Sequence, residues 1–223
     1  VLVTEDGYKH TIESPLDNLY GMLVYSRLPL ENAKIQFLVE KDVPSMHAFA
    51  RLPSGRGIRI HFLHPAPPSP SENEESSERD AELLVVGKSA AKATVPVIVT
   101  GDLNDVAWSA TTRLFRKASG LRDPRIGRGM FNTFHAERWY LRWPLDHLFC
   151  SDHFELVRIR RLPAFGSDHF PMLMTLACLP QGDEEKRALE ADEDDEEWIE
   201  EKIDDEGVKP SQVHQPERGR GRQ

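Results

Sequence analysis

Three short runs, G-D-L-N at 101–104, L-D-H-L-F at 145–149 and G-S-D-H-F-P at 166–171, each follow or close an apolar segment, and each carries a carboxylate. Acids at strand ends seldom serve packing. Together Asp102, Asn104, Asp146, Asp168 and His169 supply what metal-assisted hydrolysis of a phosphate ester needs: anionic metal ligands, an amide donor for a developing oxyanion, and a base held by a carboxylate. Asp102 and Asn104 lie two apart, so in extended chain both side chains face one way. The competing reading of G-D-x-N-D is turn and helix-capping chemistry alone. Asp168 and His169 sit between Gly-Ser and Phe-Pro, in a tight segment entering the last strand, where proline restricts the backbone. Asp146 is available to orient His169 as a carboxylate-held base. Neighbours in a strand face opposite ways, so Asp146 is assigned to the site and His147 to local packing or capping. His64 closes an apolar strand in F-L-H-P and can donate to a phosphate, with a core or surface histidine as the rival reading.

The elements that must position these residues follow from periodicity. G-M-L-V-Y-S from Gly21 reads as a buried strand, residues 27–29 as a turn and 35–39 as a second strand. Residues 47–52 and 57–63 form a hairpin across S-G-R-G, whose second strand delivers His64. The Pro-, Ser- and Glu-rich stretch 65–78 reads as a surface loop, followed by an amphipathic helix over 79–93. The β-branched run 95–100 stops at Gly101, which puts Asp102 and Asn104 just past a strand end, where active sites of α/β folds collect. Asp105 is expected to cap a helix through Ser119 that Gly120 closes. Residues 145–150, 155–159 and 171–178 are three further strands, so the class is α/β with strands outnumbering helices.

Of 223 residues, 37 are acidic and 28 basic, for a formal charge of −9. The first 179 residues hold 21 of each sign, so the imbalance lies wholly in residues 180–223. A neutral folded part argues against a protein that grips duplex nucleic acid through many phosphates. Arg122, Arg125 and Arg128, then Arg138 and Arg142, then Arg158, Arg160 and Arg161 could line an anionic groove, solvated loop charge being the plainer account. Two domains are read: residues 1–179 as the α/β domain, and residues 180–223 as an acidic disordered tail. Cys150 and Cys178, the two cysteines, end apolar runs and read as free thiols. With no secretory signal and no apolar run of transmembrane length, the chain as given reads as soluble, and its lack of an initiating Met reads as trimming.

The order and spacing of the motifs resemble the endonuclease/exonuclease/phosphatase superfamily, of DNase I-like fold. Across residues 15–178 an H-x-x segment, a G-D-x-N segment, a D-H-[ILV] segment and a final S-D-H-x-P segment correspond to His64, Asp102 with Asn104, Asp146, and Asp168 with His169. The resemblance implies a four-layer sandwich of two mixed β-sheets flanked by helices, and a Mg²⁺- or Mn²⁺-dependent attack of water on a phosphate ester. It implies that Asp102 orients or deprotonates the water, that Asn104 and His64 hold phosphoryl oxygens, that His169, steadied by Asp146, acts as base or stabilises charge, and that Asp168 approaches the metal. The substrate would be a lipid head group, a small phosphoester or a nucleic acid. The departure is at the front, where the family brings an Asn and then a Glu that is its main metal ligand. Neither is evident, Glu5 being the nearest substitute, so the domain reads as N-terminally incomplete, and a catalytically inactive binding domain is the alternative. P-L-D-N-L-Y-G-M-L-V-Y-S-R-L-P-L and L-R-W-P-L-D-H-L-F most resemble a bacterial branch with hydrophobic N-terminal segments, which implies a membrane-anchored parent protein.

Overall fold

Strand alternation builds the centre of the molecule. In the computed structural model, which describes residues 7–67, 76–182 and 189–217, a five-stranded mixed sheet runs in the order β3 (Leu30–Gln36), β4 (Ser45–Arg51), β5 (Gly57–Phe62), β6 (Val97–Asp102), β7 (Asp146–Cys150). Pairing is antiparallel except between β5 and β6, which are joined by helix α1 (Ser77–Ala91), as a parallel crossover demands. Val97, Val99 and Phe149 point to one face and pack with α1, α2 (Ala110–Ser119) and α3 (Glu193–Asp205). Ile58, Ile60, Ile98, Leu148 and Cys150 point to the other, against the hairpin of β8 (Phe154–Arg161) and β9 (Met172–Cys178). Beside it the hairpin of β1 (His10–Ser14) and β2 (Met22–Ser26) covers Met46 and Ala48. The α/β class holds, with a central mixed sheet; the second sheet of the sandwich is represented by these two antiparallel hairpins. β1 was not anticipated: H-T-I-E-S buries only Ile12 and Ser14, too little apolar alternation to announce a strand.

Two details differ from the sequence reading. Asp105 does not cap α2; Ser109 does, its hydroxyl accepting the Thr112 amide at 2.8 Å. Asp105 stands behind that cap, accepting the hydroxyls of Ser109 and Thr112, while Gly120 closes the helix at φ 65° as expected. Helix α1 is buried on nearly all sides rather than amphipathic, because α2 and α3 cover the face that its pattern leaves to solvent.

The largest correction concerns the disordered tail. Residues 189–217 are ordered: α3 starts in a capping box between Asp192 and Asp195, and four acids in its first turn suit the helix dipole. Ile199 and Ile203, one turn apart, are fully buried in the main core, as are Val208 and Val213 beyond the helix. The acids have partners on the domain: Lys88 meets Glu196 and Glu200, Lys117 meets Asp195, and buried Arg59 meets Glu217. Lys202 in turn reaches buried Asp80 at 2.8 Å. Composition points to disorder because apolar residues are few, yet two isoleucines on one stripe and basic partners a hundred residues upstream suffice. Residues 68–75 of the expected surface loop, Glu5, and the basic end at 218–223 lie outside the described residues. Among the described residues no helix is long and apolar enough to cross a membrane.

If α3 contributes to the core, Ile199→Ala lowers unfolding stability by about 2–4 kcal/mol. Urea denaturation at neutral pH measures this, and an unchanged midpoint would mean that the helix is detached.

Candidate active site

Two backbone constraints bring the candidate residues together. The β6–β7 register sets Asp102 opposite Asp146, on the hairpin side of the sheet. Gly101, at φ 149°, lies so close to the end of β5 that a Cβ there would fall 1.9 Å from the Leu63 carbonyl oxygen; only glycine permits that approach. The same closeness delivers His64, whose Nε2 lies 3.8 Å from Asp102 Oδ2. His169 Nε2 lies 3.5 Å from the same oxygen. His169 Nδ1–H donates to Asp146 Oδ2 at 2.7 Å, which fixes the tautomer and aims Nε2 at Asp102. The donor atoms of Asp102, Asp146 and His169 all lie within 4.8 Å of one another. A cavity of about 370 Å³ lined by Thr100, Asp146, Leu148, Met172 and Met174 opens beside Asp146.

Burial and the neighbouring charge of Asp146 push the Asp102 carboxyl up to about 6. Burial would raise Asp146 as well, but hydrogen bonds from His169 and Thr133 outweigh it and hold Asp146 below the usual carboxylate value. Burial pulls His169 down, and the hydrogen bond and charge of Asp146 more than reverse that, so its net shift is upward. His64 is lowered by burial, which keeps it neutral near pH 7.

Asn104 is placed differently from the extended-chain expectation. It adopts φ 48°, its amide N–H turns back to Asp102 Oδ1 at 2.9 Å, and its side-chain NH₂ donates to the Pro65 carbonyl at 2.9 Å. This is the turn chemistry that Asp and Asn favour, and it ties the loops after β5 and β6 together while leaving the second hydrogen of the NH₂ for a ligand. Asp168 is exposed at the rim and stands outside the converging trio, although its charge is felt at Asp102 and His169. The expected metal ligand is therefore not in the inner set: the Ser167–Asp168 turn carries the His169 ring inward and leaves the Asp168 carboxylate outward, Ser167 Oγ accepting the His169 amide at 3.1 Å.

A family-wide sequence profile, described as Endonuclease/Exonuclease/phosphatase family, matches residues 3–169. The chain belongs to that family. Members are generally hydrolases of phosphate esters that use divalent metals, and the trio of donors is a candidate place for one. No curated protein matches the sequence. Among solved structures, an endonuclease/exonuclease/phosphatase from Beutenbergia cavernae superposes with a TM-score of 0.66 at 19% identity, over 87% of this chain and 60% of that one. This chain thus spans about 60% of that protein's length. The catalytic domain of human Nocturnin, with bound sulfate, gives 0.60 at 17% identity over 79% of this chain and 74% of that one. D. rerio TDP2 with a single-strand DNA product gives 0.59 at 18% identity over 79% and 80%. At such identities these likenesses speak for the fold.

Within this family member, the residues that hold the site were not read from sequence. Thr133, fully buried, accepts the Leu145 and Asp146 amides on its hydroxyl at 3.3 and 3.2 Å. Arg125, expected as loop charge or groove lining, is instead buried. It pairs with Asp123 in fork geometry and donates to the Asp146 carbonyl at 3.0 Å and to His147 Nδ1 at 2.6 Å. Because arginine can only donate, His147 carries its proton on Nε2, which faces the Asp105 carbonyl at 2.9 Å. The packing role assigned to His147 is the one it has. The D-x-R spacing of Asp123 and Arg125 was the one available signal for this support.

The raised Asp102 carboxyl has a consequence for stability. Its folded-state value of about 6 exceeds the ordinary value near 4, so its contribution is full below about pH 4 and is lost as pH rises through about 6. In metal-free buffer Asp102→Asn should therefore match the parent at pH 4 and exceed its stability at pH 8 by on the order of 2 kcal/mol. Denaturation curves at the two pH values check this; an equal gain at both would rule out the titration.

Proposed function

We propose that the protein is a divalent-metal-dependent hydrolase of phosphate esters, acting by attack of water at phosphorus. The observation that carries this reading is the placement of Asp102 between His64 and His169, with Asp146 on the far nitrogen of His169. The residues fit a hard dication: two carboxylates converge, and the raised Asp102 carboxyl marks negative charge that a cation would relieve. Asp102 and Asp146 would hold Mg²⁺ or Mn²⁺, with Asp168 at the rim. When bound, such an ion supplies Lewis acidity and charge neutralisation at the phosphoryl group.

The protein's own groups divide the remaining work. Asp102, whose Oδ2 lies 3.8 Å from His64 Nε2 and 3.5 Å from His169 Nε2, suits orienting the attacking water beside the ion. His169, raised and hydrogen-bonded to Asp146, suits a cationic donor from Nε2 to the charge that develops at phosphorus. His64, neutral, donates one N–H to a phosphoryl oxygen, and Asn104 offers its remaining amide hydrogen. Among substrate classes, the neutral charge of residues 1–179 favours a lipid head group or small phosphoester over duplex nucleic acid.

One observation favours a second reading, a hydrolase-like domain that binds phosphoesters without turnover. Among the described residues no glutamate joins Asp102, Asp146 and His169. An activated phosphodiester with Mg²⁺ or Mn²⁺ separates the two. Turnover is expected, and Asp102→Ala and His169→Ala should each lower kcat by about 10²- to 10⁴-fold. A protein that binds the ester but does not turn it over, or variants as fast as the parent, would overturn the hydrolytic reading.

A further inference from the structure

The hydrolytic reading leaves unexplained the residues that stand furthest out around the site. Residues 133–143 form a narrow finger: the Phe134 amide donates to the Trp143 carbonyl at 3.0 Å and the His135 amide to the Leu141 carbonyl at 2.7 Å. Its base is fixed to the site. Phe134 bridges to His169, their rings 5.0 Å apart, and the Ala136 amide donates to the Asp168 carbonyl at 2.6 Å. Its tip is Arg138, Trp139 and Tyr140, with Trp139 79% and Tyr140 66% exposed and their rings edge to face at 6.0 Å. The Leu141 amide donates back to the Arg138 carbonyl at 3.0 Å, so Trp139 and Tyr140 stand in the turn that ends the finger.

Two other loops beside the same residues also end in bare apolar side chains. Phe165, 74% exposed, lies on the β8–β9 connection that carries Asp168. Leu19, 84% exposed, precedes Tyr20, whose ring meets that of His64 at 5.9 Å. Large apolar groups left in water around one opening mark an interaction surface.

The chemistry of the rim selects the partner. Tryptophan and tyrosine, apolar with one polar edge, suit the boundary between hydrocarbon and head groups. Arg138 beside them, and Arg142 and Arg161, whose guanidinium groups lie 5.1 and 4.3 Å from the Phe170 ring centre, complement anionic phosphates. A single-stranded nucleic acid would call for aromatic platforms inside a charged groove. Here the aromatics stand on a projecting tip, and Leu19 offers no π face.

We propose that this rim seats the protein on a lipid surface bearing anionic head groups, with Trp139 and Tyr140 entering the interface, so that the ester reaches the site from a membrane lipid. Only the last clause rests on the hydrolytic reading. Sedimentation with vesicles of phosphatidylcholine, plain or doped with phosphatidylglycerol, tests the docking. The protein should partition onto the doped vesicles, and replacing Trp139 and Tyr140 together by serine should lower partitioning about tenfold or more with an unchanged melting temperature. Asp102→Asn should bind vesicles as the parent does, so that loss of turnover and loss of docking are read separately. Failure of the parent to sediment, or equal partitioning of the double variant, would overturn the proposal. So would preferential capture by a single-stranded oligonucleotide, which would point to nucleic acid instead.

Discussion

Between β6 and β7 the antiparallel ladder sets Asp102 directly across from Asp146, and two carboxylates so close in a half-buried place do not both remain charged without help. The molecule resolves this by treating them unequally. Asp146 receives a histidine N–H and a threonine hydroxyl and stays an anion, while Asp102 receives one backbone amide and rises to about 6. That asymmetry gives two chemically distinct acids from one pair of strands. The supporting parts serve it: Arg125 and Thr133 hold the backbone at Asp146, and the Asn104 amide holds the Asp102 carboxylate through Oδ1.

Much of this was legible in the chain. The carboxylates and histidines that converge are those whose positions at strand ends have no packing role, whereas the β6–β7 register that sets Asp102 against Asp146 was not legible, since Val97–Val99 and Leu148–Cys150 are continuous apolar runs buried on both faces. What else escaped acts through irregular backbone. Thr133 and Arg125 sit in a connection between α2 and β7 that has no period to read, so nothing distinguishes a buried arginine there from a solvated one. Asn104 turns away from the side that extended-chain alternation gives it, because it adopts a left-handed conformation, and Asp168, expected at the metal from the family resemblance, is left outward by the tight turn before His169.

The acidic C-terminal part shows the same limit on a larger scale. Its charge pattern describes a chain alone in water, whereas its partners Lys88, Lys117 and Asp80 lie on helices encoded far upstream. Exposed pairs such as Lys88 with Glu196 contribute little individually, so the buried Ile199, Ile203, Val208 and Val213 do most of the attaching, and the charges set where α3 lies along α1.

From α3 a short path leads back to the chemistry. Lys202 neutralises Asp80, Asp80 pairs with Arg79, and Arg79 donates to the Asn104 carbonyl at 2.8 Å. The family match stops at residue 169, and a protein engineer trimming the chain after the last strand would regard the acidic C-terminal residues as dispensable. Such a cut would strip an ammonium group from a carboxylate sealed inside the molecule, two hydrogen bonds from the loop that carries Asn104. The useful minimal unit of this hydrolase fold therefore ends past Val213, not at β9.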